Sequence, residues 1–255
     1  MDSEKIMSVK IICPYIYKEE ADELKEKLGW NIDYIFEEDT NKIGSDLMYQ
    51  KLWQQCPDDD VIILHSDMEP DNENWLDDLL KYVDKYPEAG MFGCKLLYPI
   101  LTEEKERYIQ CAGGKFTDGT PDHFGSGVNI FTGQKFKELE IDKGQYDKVR
   151  EIAWTTFGGI YIRRQVLEDV GNFDPSFEWT YNRDVDYCLS AREKGWKIYQ
   201  TPVEILHFEA KDNKRIRSNN AELNAKEGRN LIRLKEKWAE TEYYKTIDIE
   251  VKNES

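Results

Sequence analysis

The chain of 255 residues carries a formal net charge of −16 at pH 7, with 35 Lys and Arg against 51 Asp and Glu. A charge of this sign argues against DNA or RNA as the main partner, because nucleic-acid binding needs a basic surface. It does not exclude a nucleotide, whose few charges can be neutralised by a metal ion and a few basic side chains. The length suffices for one large domain, or for one domain and a tail.

The cysteine pattern and the absence of long apolar runs indicate the compartment. The five cysteines are scattered, odd in number and without a CxxC arrangement, which predicts buried thiols in a reducing compartment rather than disulfides or a zinc site. No basic-then-apolar leader opens the sequence, and no apolar run approaches a membrane span. We therefore expect a soluble, cytoplasmic protein without an integral membrane segment. The cysteines are Cys13, Cys56, Cys94, Cys111 and Cys188.

The first hundred residues alternate strand-like and helix-like patterns. Strands separated by helices of this length predict βαβ units and a parallel sheet with right-handed crossovers. The predicted strands are Val9–Cys13, Asn31–Phe36, Val61–His65 and Ala89–Leu97, and the predicted helices are Lys18–Leu28, Ser45–Gln55 and Trp75–Tyr86.

After Pro99 the pattern changes. Glycine-rich turns, among them Asp118–Gly119, predict hairpins at the edge of the sheet. The highly charged segment Lys135–Glu151 indicates a mobile loop or a short exposed helix, and Ile152–Arg163 is apolar again. The remaining predicted elements are a helix over Asn182–Lys194, strands over Lys197–Thr201 and Glu204–Phe208, and a last helix over Ala221–Ala239.

The segment Val61–Asp67, VIILHSD, is an unbroken apolar strand that runs into three polar residues. Such a strand fits a sheet covered on both faces, and its C-terminal end is where open α/β sheets bind ligands. A carboxylate at that place can hold a divalent cation against a phosphate. The segment alone allows equally well that Asp67 only begins a turn.

Four motifs occur in a characteristic order along the chain. The first is VKIICPY over Val9–Tyr15, the second is the HSD triplet, and the third is Phe157–Gly159 followed by IRR and VGNFD. The fourth is RDVDYC over Arg183–Cys188, followed by Gly195–Trp196, Pro202 and His207. Together they resemble the family-two glycosyltransferases with the GT-A fold, especially the rhamnosyltransferase-like branch, over Val9 to Trp238.

This resemblance implies an α/β fold of the nucleotide-diphospho-sugar transferase type, Rossmann-like. It would have a mostly parallel sheet flanked by helices, edge hairpins and a C-terminal helix. Residues 1–210 would form the GT-A domain, and residues 211–255 a basic loop and a helical extension packed on it. The implied activity is inverting, metal-dependent transfer of a hexosyl or deoxyhexosyl group in polysaccharide biosynthesis. The sugar would pass from a nucleotide-sugar donor to a hydroxyl of a glycan or other acceptor.

The resemblance also implies a metal site with Mn²⁺ or Mg²⁺. Asp67 matches the final Asp of the family's DxD-type motif, and His207 matches a late histidine that can complete the site. Imidazole among the ligands favours Mn²⁺ mildly. The residues alone also allow His207 to be a hydrogen-bonded core histidine. His65 replaces the usual first Asp, and here we expect a hydrogen-bonded histidine at the end of a strand.

An inverting transfer needs a carboxylate to take the proton of the acceptor hydroxyl. Asp184 matches the Asp of the family's Glu-Asp signature, with Arg183 where Glu is usual. Asn182 can cap the helix, which would place Asp184 in the first turn, where the helix dipole favours an ionised carboxylate. Acidic residues occur in first turns for stability as well. Asp186 is expected on the acceptor side, in a pairing or supporting role.

The resemblance implies further donor and acceptor contacts. Asp39 is expected against the nucleotide, although the acidic cluster with Glu38 equally fits a solvated loop. Basic residues after His207 can close over a diphosphate or form a solvated surface. The expected donor-binding residues are Pro14, Tyr15, Asp39, Ser66, Asp67, Lys211 and Arg215, and the expected acceptor-binding residues are Gly158, Gly159, Trp179 and Asp186, with Gln110–Gly114 and His123 forming a wall.

Two other functions remain open from the sequence. A nucleotidyltransferase of similar fold would carry a glycine-rich, basic loop after the first strand, whereas Pro14–Glu20 contains no glycine. A non-catalytic carbohydrate- or nucleotide-binding relative is favoured by the departures at His65 and Arg183. Donor hydrolysis with Mn²⁺ would separate an enzyme from the second alternative.

Overall fold

The computed structural model describes residues 8–29, 32–125, 139–178, 181–208 and 221–252. Within them, one sheet of ten strands runs through the molecule, and a hairpin forms a second, two-stranded sheet. The strands are β1 Val9–Tyr15, β2 Tyr34–Glu38, β3 Asp60–Ile63, β4 Met68–Pro70, β5 Ala89–Leu101, β6 Arg107–Cys111, β7 Gly114–Thr117, β8 Thr120–His123, β9 Arg150–Ile152, β10 Ile160–Ile162, β11 Lys197–His207 and β12 Asp248–Glu250.

The main path of the large sheet has the order β12-β9-β11-β5-β10-β3-β1-β2, with β4 paired to β11 and β6 to β5. Parallel pairs join β1 to β2, β1 to β3 and β5 to β11, while β9 and β10 run against their neighbours. Six of the eight strands on this path therefore share one direction, which confirms the mostly parallel sheet.

Helices cover both faces of this sheet. The helices α1 and α3 pack on one face, against apolar side chains such as Ile11 and Ile62. The helices α2, α4, α5 and α6 pack on the other, where Ile12 and Ile63 point, because neighbouring residues of a strand face opposite sides. The helices are α1 Lys18–Leu28, α2 Ser45–Trp53, α3 Trp75–Lys85, α4 Arg164–Val170, α5 Arg183–Glu193 and α6 Ala221–Trp238.

Most predicted elements are confirmed within a few residues of their bounds. The turn Asp118–Gly119 joins β7 to β8, and both residues have positive φ, as a tight hairpin turn requires. The two strands predicted around Pro202 are one strand, β11, whose register against β5 shifts between Gln200 and Glu204. Proline explains the shift, since it has no N–H to donate to the ladder.

The prediction of an exposed helix in Lys135–Glu151 is wrong for residues 139–151, which contain no helix. Leu139, Tyr146 and Val149 are buried there. Two acidic residues of the segment, Asp142 and Asp147, pair with a lysine in β5. Buried apolar side chains and ion pairs thus hold this part of the segment on the sheet.

The C-terminal segment packs on the same sheet. Leu234 and Trp238 of α6 belong to the core on the α5 side, and β12 pairs with β9. All five cysteines are buried and unpaired, as predicted. None of the helices among the described residues is long and apolar enough to cross a membrane.

Candidate active site

Three side chains of types that can bind a metal ion meet at the carboxyl end of the sheet. His65 and Asp67 follow β3, and His207 ends β11, three strands further along the sheet. The short strand β4 brings them together, because it pairs with β11 and sets Met68 opposite His207. The amide of Phe208 donates to the carbonyl of Asp67 at 2.9 Å. The chain after β3 is therefore fastened beside the end of β11.

The three side chains form a compact group. Nε2 of His207 lies 3.3 Å from Oδ1 of Asp67, and the ring centroids of His65 and His207 are 5.3 Å apart. One ligand atom from each of the three lies within 4.8 Å of the other two. Two imidazoles and a carboxylate suit a divalent transition-metal ion, so this donor set fits the ion that the sequence implied.

His65 and His207 each make a hydrogen bond to a neighbouring side chain through one ring nitrogen. Nδ1 of His207 lies 2.7 Å from Oε1 of Gln110, and Nε2 of His65 lies 2.6 Å from the hydroxyl of Tyr49. Metal-binding histidines are usually oriented by such a hydrogen bond from the second ring nitrogen. Gln110 was expected to line the acceptor side, but here it contacts a member of the metal group.

The protonation states of His65 and Asp67 favour the binding of a cation. Burial and, to a smaller extent, the charge of His207 together lower the pKa of His65 to about 4, although the charge of Asp67 opposes the shift. Burial alone would raise the pKa of Asp67, but the charge and hydrogen bond of His207 outweigh it and hold that pKa below its usual range. At neutral pH His65 is neutral and Asp67 is ionised, the states in which each can bind a metal ion.

Asp184 lies in the first turn of α5, as predicted. Asn182 occupies the N-cap position, as predicted, but its side chain makes no capping hydrogen bond. Its backbone is left-handed, a conformation that Asn tolerates, and its carbonyl accepts the amide of Asp186 at 3.0 Å. Oδ1 of Asp184 instead accepts the amide of Val185 at 2.9 Å.

Burial raises the pKa of Asp184 to about 6, although that hydrogen bond opposes the shift. The side chain still keeps part of its surface open to solvent. A carboxylate that exchanges its proton near neutral pH, and that a ligand can reach, has the properties of a general base.

Asp46 was not singled out from the sequence. It lies in the first turn of α2 and is 4 % exposed, and Oδ2 has no hydrogen-bond partner among the described residues. Burial raises its pKa well above the usual range. The charge of Asp184 adds to the rise, and Arg183 opposes it. The sequence feature that could have identified Asp46 is its spacing, since it lies one helical turn before Tyr49 and so on the buried face of α2.

Asp186 points away from Asp184, because residues two apart on a helix face nearly opposite sides. Its carboxylate accepts Nε1 of Trp238 at 2.7 Å and pairs with Lys237 at 2.8 Å. Lys237 also reaches Asp174 at 3.0 Å. These contacts fasten α6 to α5.

The two glycines next to Phe157 have different roles. A Cβ on Gly158 would lie 2.9 Å from Cε1 of His65, so the absence of a side chain makes room for that imidazole. The amide of Gly159 donates to Ile63 at 2.9 Å, and its carbonyl accepts Cys94 at 2.8 Å. The backbone of Gly159 is thus used in the sheet, whereas we expected it to face a ligand.

The predicted donor residues lie near the ends of β1 and β2. Both carboxylate oxygens of Asp39 accept backbone amides, those of Ile43 and Gly44, at 2.9 Å each. The amide of Asp39 donates to the carbonyl of Tyr15 at 2.8 Å, next to Pro14. Asp39 therefore holds the turn that leads into α2.

Ser66 lies between His65 and Asp67 in the sequence and donates to Glu20 at 3.3 Å. Lys211, Arg215 and Trp179 lie outside the described residues.

The predicted acceptor wall contains a buried thiol–imidazole contact. Sγ of Cys111 lies 3.2 Å from Nδ1 of His123, whose ring lies 5.0 Å from that of Trp154. Burial raises the pKa of Cys111 to about 12 and lowers that of His123 to about 4, so both groups are neutral at pH 7. Arg183, also buried, donates to the carbonyl of Phe177.

Comparison of the sequence with known proteins gave one curated relative. The O-antigen biosynthesis protein RfbC of Myxococcus xanthus is 28% identical over 158 residues, which cover 59% of this chain and 11% of RfbC. The matched segment is thus a small part of that relative. No protein-family model matches the chain.

Comparison with solved structures matches a larger part of the chain than the sequence comparison does. GalNAc-T7, solved with UDP, GalNAc and Mn²⁺, superposes with a TM-score of 0.60 and 14% identity, covering 94% of this chain and 49% of that one. The chain has the fold of a GT-A glycosyltransferase. The mannosyltransferase PcManGT of Pyrobaculum calidifontis, with GDP-Man and Mn²⁺, reaches a TM-score of 0.48 at 12% identity, covering 80% of this chain and 57% of its own.

Proposed function

We propose that this protein is a metal-dependent, inverting glycosyltransferase that moves a sugar from a nucleotide-sugar donor to a hydroxyl of a glycan or other acceptor. The observation that carries the proposal is the group formed by Asp67 and His207, at the carboxyl end of the sheet in a GT-A fold. The similarity to RfbC supports polysaccharide biosynthesis. The motifs favour hexosyl or deoxyhexosyl transfer of the rhamnosyltransferase-like kind.

Asp67 and His207 would hold Mn²⁺ or Mg²⁺, with Asp67 supplying the charge and His207 a nitrogen ligand. A cation bound there neutralises the charge that develops on the diphosphate leaving group. Asp67 is ionised in the folded protein, and Gln110 fixes the ring of His207. The chain thus supplies a fixed site with a carboxylate already charged.

Asp184 is the proposed general base. Its carboxylate takes the proton of the acceptor hydroxyl, whose oxygen forms a bond to the anomeric carbon. The bond from that carbon to the diphosphate breaks on the opposite face, which inverts the configuration. The raised pKa of Asp184 supports this role, since proton transfer is most efficient for a base whose pKa is near the working pH.

The donor would lie along the ends of β1 and β3, against Pro14, Tyr15 and Ser66, with Asp39 ordering the turn before α2. Lys211 and Arg215 follow β11 in the sequence and would neutralise the diphosphate. On the acceptor side, Gly158 would make room for the imidazole of His65, and Gly159 would hold the adjoining strand in the sheet. Asp186 would position α5 through its contacts with α6, and Trp179 would stack on a sugar ring.

A thermal-shift screen of nucleoside diphosphates, with and without Mn²⁺, tests the proposal first. A ligand at about 100 times its Kd adds about 2.7 kcal/mol to the stability of the folded state. We expect one nucleoside diphosphate to raise Tm only when the metal is present. Mn²⁺-dependent hydrolysis of the matching nucleotide sugar should follow, and binding without any hydrolysis or transfer would favour the non-catalytic relative instead.

A further inference from the structure

His65 departs from the motif that the chain resembles, and the sequence predicted only a hydrogen-bonded histidine there. The structure places its ring 5.3 Å from that of His207, and a ligand atom of His65 within 4.8 Å of those of Asp67 and His207. We propose that His65 is a third ligand of the same ion, that Tyr49 orients it, and that the resulting site prefers Mn²⁺ and similar transition metals to Mg²⁺ and Ca²⁺.

The hydrogen bonds assign the nitrogen atoms. Nε2 of His65 contacts the hydroxyl of Tyr49 at 2.6 Å, so Nδ1 is the nitrogen left for an ion. In the same way Nδ1 of His207 contacts Gln110, and its Nε2 faces Asp67 at 3.3 Å. Each imidazole thus uses one nitrogen for a protein partner, and the candidate ligand atoms are Nδ1 of His65 and Nε2 of His207.

The position of His65 is fixed from two further sides. Tyr49 is buried in α2, and its ring is stacked parallel to the imidazole with an interplanar angle of 4°. Gly158 lies against the same imidazole, since a Cβ there would clash with Cε of Met68 and come within 2.9 Å of Cε1 of His65. An imidazole confined in this way is preorganised, so little ordering is needed when an ion binds.

The ion preference follows from ligand chemistry. Mg²⁺ and Ca²⁺ bind through oxygen atoms, and Mg²⁺ loses its water reluctantly. Imidazole is a transition-metal ligand, so replacing a carboxylate by a second imidazole shifts the preference away from Mg²⁺ and Ca²⁺ and toward first-row transition metals. Among these ions Mn²⁺ binds nitrogen ligands least tightly, which makes its comparison with Mg²⁺ the most demanding one. The change also removes one negative charge, which makes the site less attractive to hard cations.

This inference deepens the proposed function, because it concerns the same ion site, but its test uses the ion without a sugar donor. Mn²⁺ would be titrated into the protein by calorimetry, alone and with inorganic diphosphate, and compared with Mg²⁺. We expect Mn²⁺ to bind at least about tenfold more tightly than Mg²⁺. Equal affinities, or no Mn²⁺ binding in either condition, would overturn the proposal whatever reaction the protein performs.

Pulsed EPR of the bound Mn²⁺ counts coordinated imidazoles directly, and the chain has only three histidines. We expect two coordinated nitrogens in the wild type and in His123→Ala, but one in His65→Ala. A single nitrogen in the wild type, or an unchanged count in His65→Ala, would exclude His65 as a ligand.

Tyr49→Phe removes only the hydroxyl and keeps the packed ring, so the fold is retained. Loss of a hydrogen bond that orients a ligand typically weakens metal binding about 10–100-fold. We expect a loss in this range for Tyr49→Phe and none for Tyr187→Phe. That control removes another buried hydroxyl, which donates to the carbonyl of Gly171 at 3.0 Å. Equal Mn²⁺ affinities of the two variants would remove Tyr49 from the proposal.

Discussion

Two clusters of ionisable groups differ in the source of the cation that balances their carboxylates. In one, the ammonium of Lys95 is fully buried and pairs with Asp142, Asp147 and Glu204 at 2.7, 2.5 and 2.8 Å. In the other, His65, Asp67 and His207 converge, and the described residues supply no lysine or arginine in salt-bridge contact with Asp67.

The comparison shows that acidic residues close together do not by themselves make a metal site. The carboxylates around Lys95 already have their counter-ion, so that cluster joins β5, β11 and the segment before β9. In the histidine cluster His65 is neutral, Asp67 is ionised, and the described residues place no lysine or arginine against that carboxylate, which leaves a cation to be bound from solution. Only the second cluster has the properties of a functional site.

The largest effect of a single substitution is expected at Asp184, in the rate of sugar transfer. Asp184→Asn should lower the rate of sugar transfer about 10²–10⁴-fold, the usual range for one general acid–base group. The amide can still accept the hydrogen bond from Val185, so donor binding should change little. Transfer rates with a cognate donor and acceptor check this, with Asp186→Asn as the matched control that should retain more activity. Near-full transfer by Asp184→Asn would remove it as the base.

Substitutions in the cluster around Lys95 should lower the free energy of unfolding and leave metal binding unchanged. Lys95→Met leaves three carboxylates without their shared cation, and because they are partly exposed we expect a loss of about 2–3 kcal/mol, below the roughly 3–5 kcal/mol typical of a fully buried pair. Urea unfolding measures the loss. Lys148→Met is the control, because Lys148 pairs with Glu250 at the surface and should contribute less than about 1 kcal/mol. Similar losses for both variants would contradict this account of the cluster.

Removal of one carboxylate from each cluster sharpens the comparison. Asp67→Ala should abolish the Mn²⁺ dependence of nucleoside-diphosphate binding, because it removes the only charged ligand of the site. Asp142→Ala should leave that dependence within about twofold, since Asp142 accepts hydrogen bonds from Lys95 and from the amide of Gly144 and contacts no member of the histidine cluster. Calorimetry with Mn²⁺ and with EDTA measures both. An unchanged Mn²⁺ effect in Asp67→Ala would show that the ion binds elsewhere.

The smallest effect concerns pH. The pKa of Asp184 is about 6 in the folded protein and lower in the unfolded chain, so the folded state holds this proton more strongly. The resulting stabilisation is present at low pH and is lost as pH rises through about 6. The unfolding free energy of the wild type should therefore fall relative to that of Asp184→Asn by roughly 1 kcal/mol between pH 5 and 7.5. Parallel curves in urea titrations would show that its pKa is not raised.

The order of strands and helices could be predicted because apolar periodicity is a local property of the sequence. The helix α4 was missed because its seven residues are too few to show a helical repeat. Asp67 and His207 were predicted because both follow apolar strands, and strand ends are where ligands bind in such sheets.

The partners of these residues could not be predicted in the same way. Tyr49 and His65 are 16 residues apart, and Gln110 and His207 are 97 apart, so their hydrogen bonds depend on how strands and helices pack. The same holds for Asp46, whose position near Asp184 depends on the approach of α2 to α5. Sequence therefore identified residues that end strands, but not the side chains that orient them.

The most direct measurement is anomalous diffraction at the manganese edge from crystals soaked with Mn²⁺ and a nucleoside diphosphate. This account predicts one strong peak between His65, Asp67 and His207, with diphosphate oxygens beside it, and none among Asp142, Asp147 and Glu204, where Lys95 already lies. A peak at the second cluster, or none at the first, would contradict the central claim that the carboxyl end of the sheet holds the metal ion.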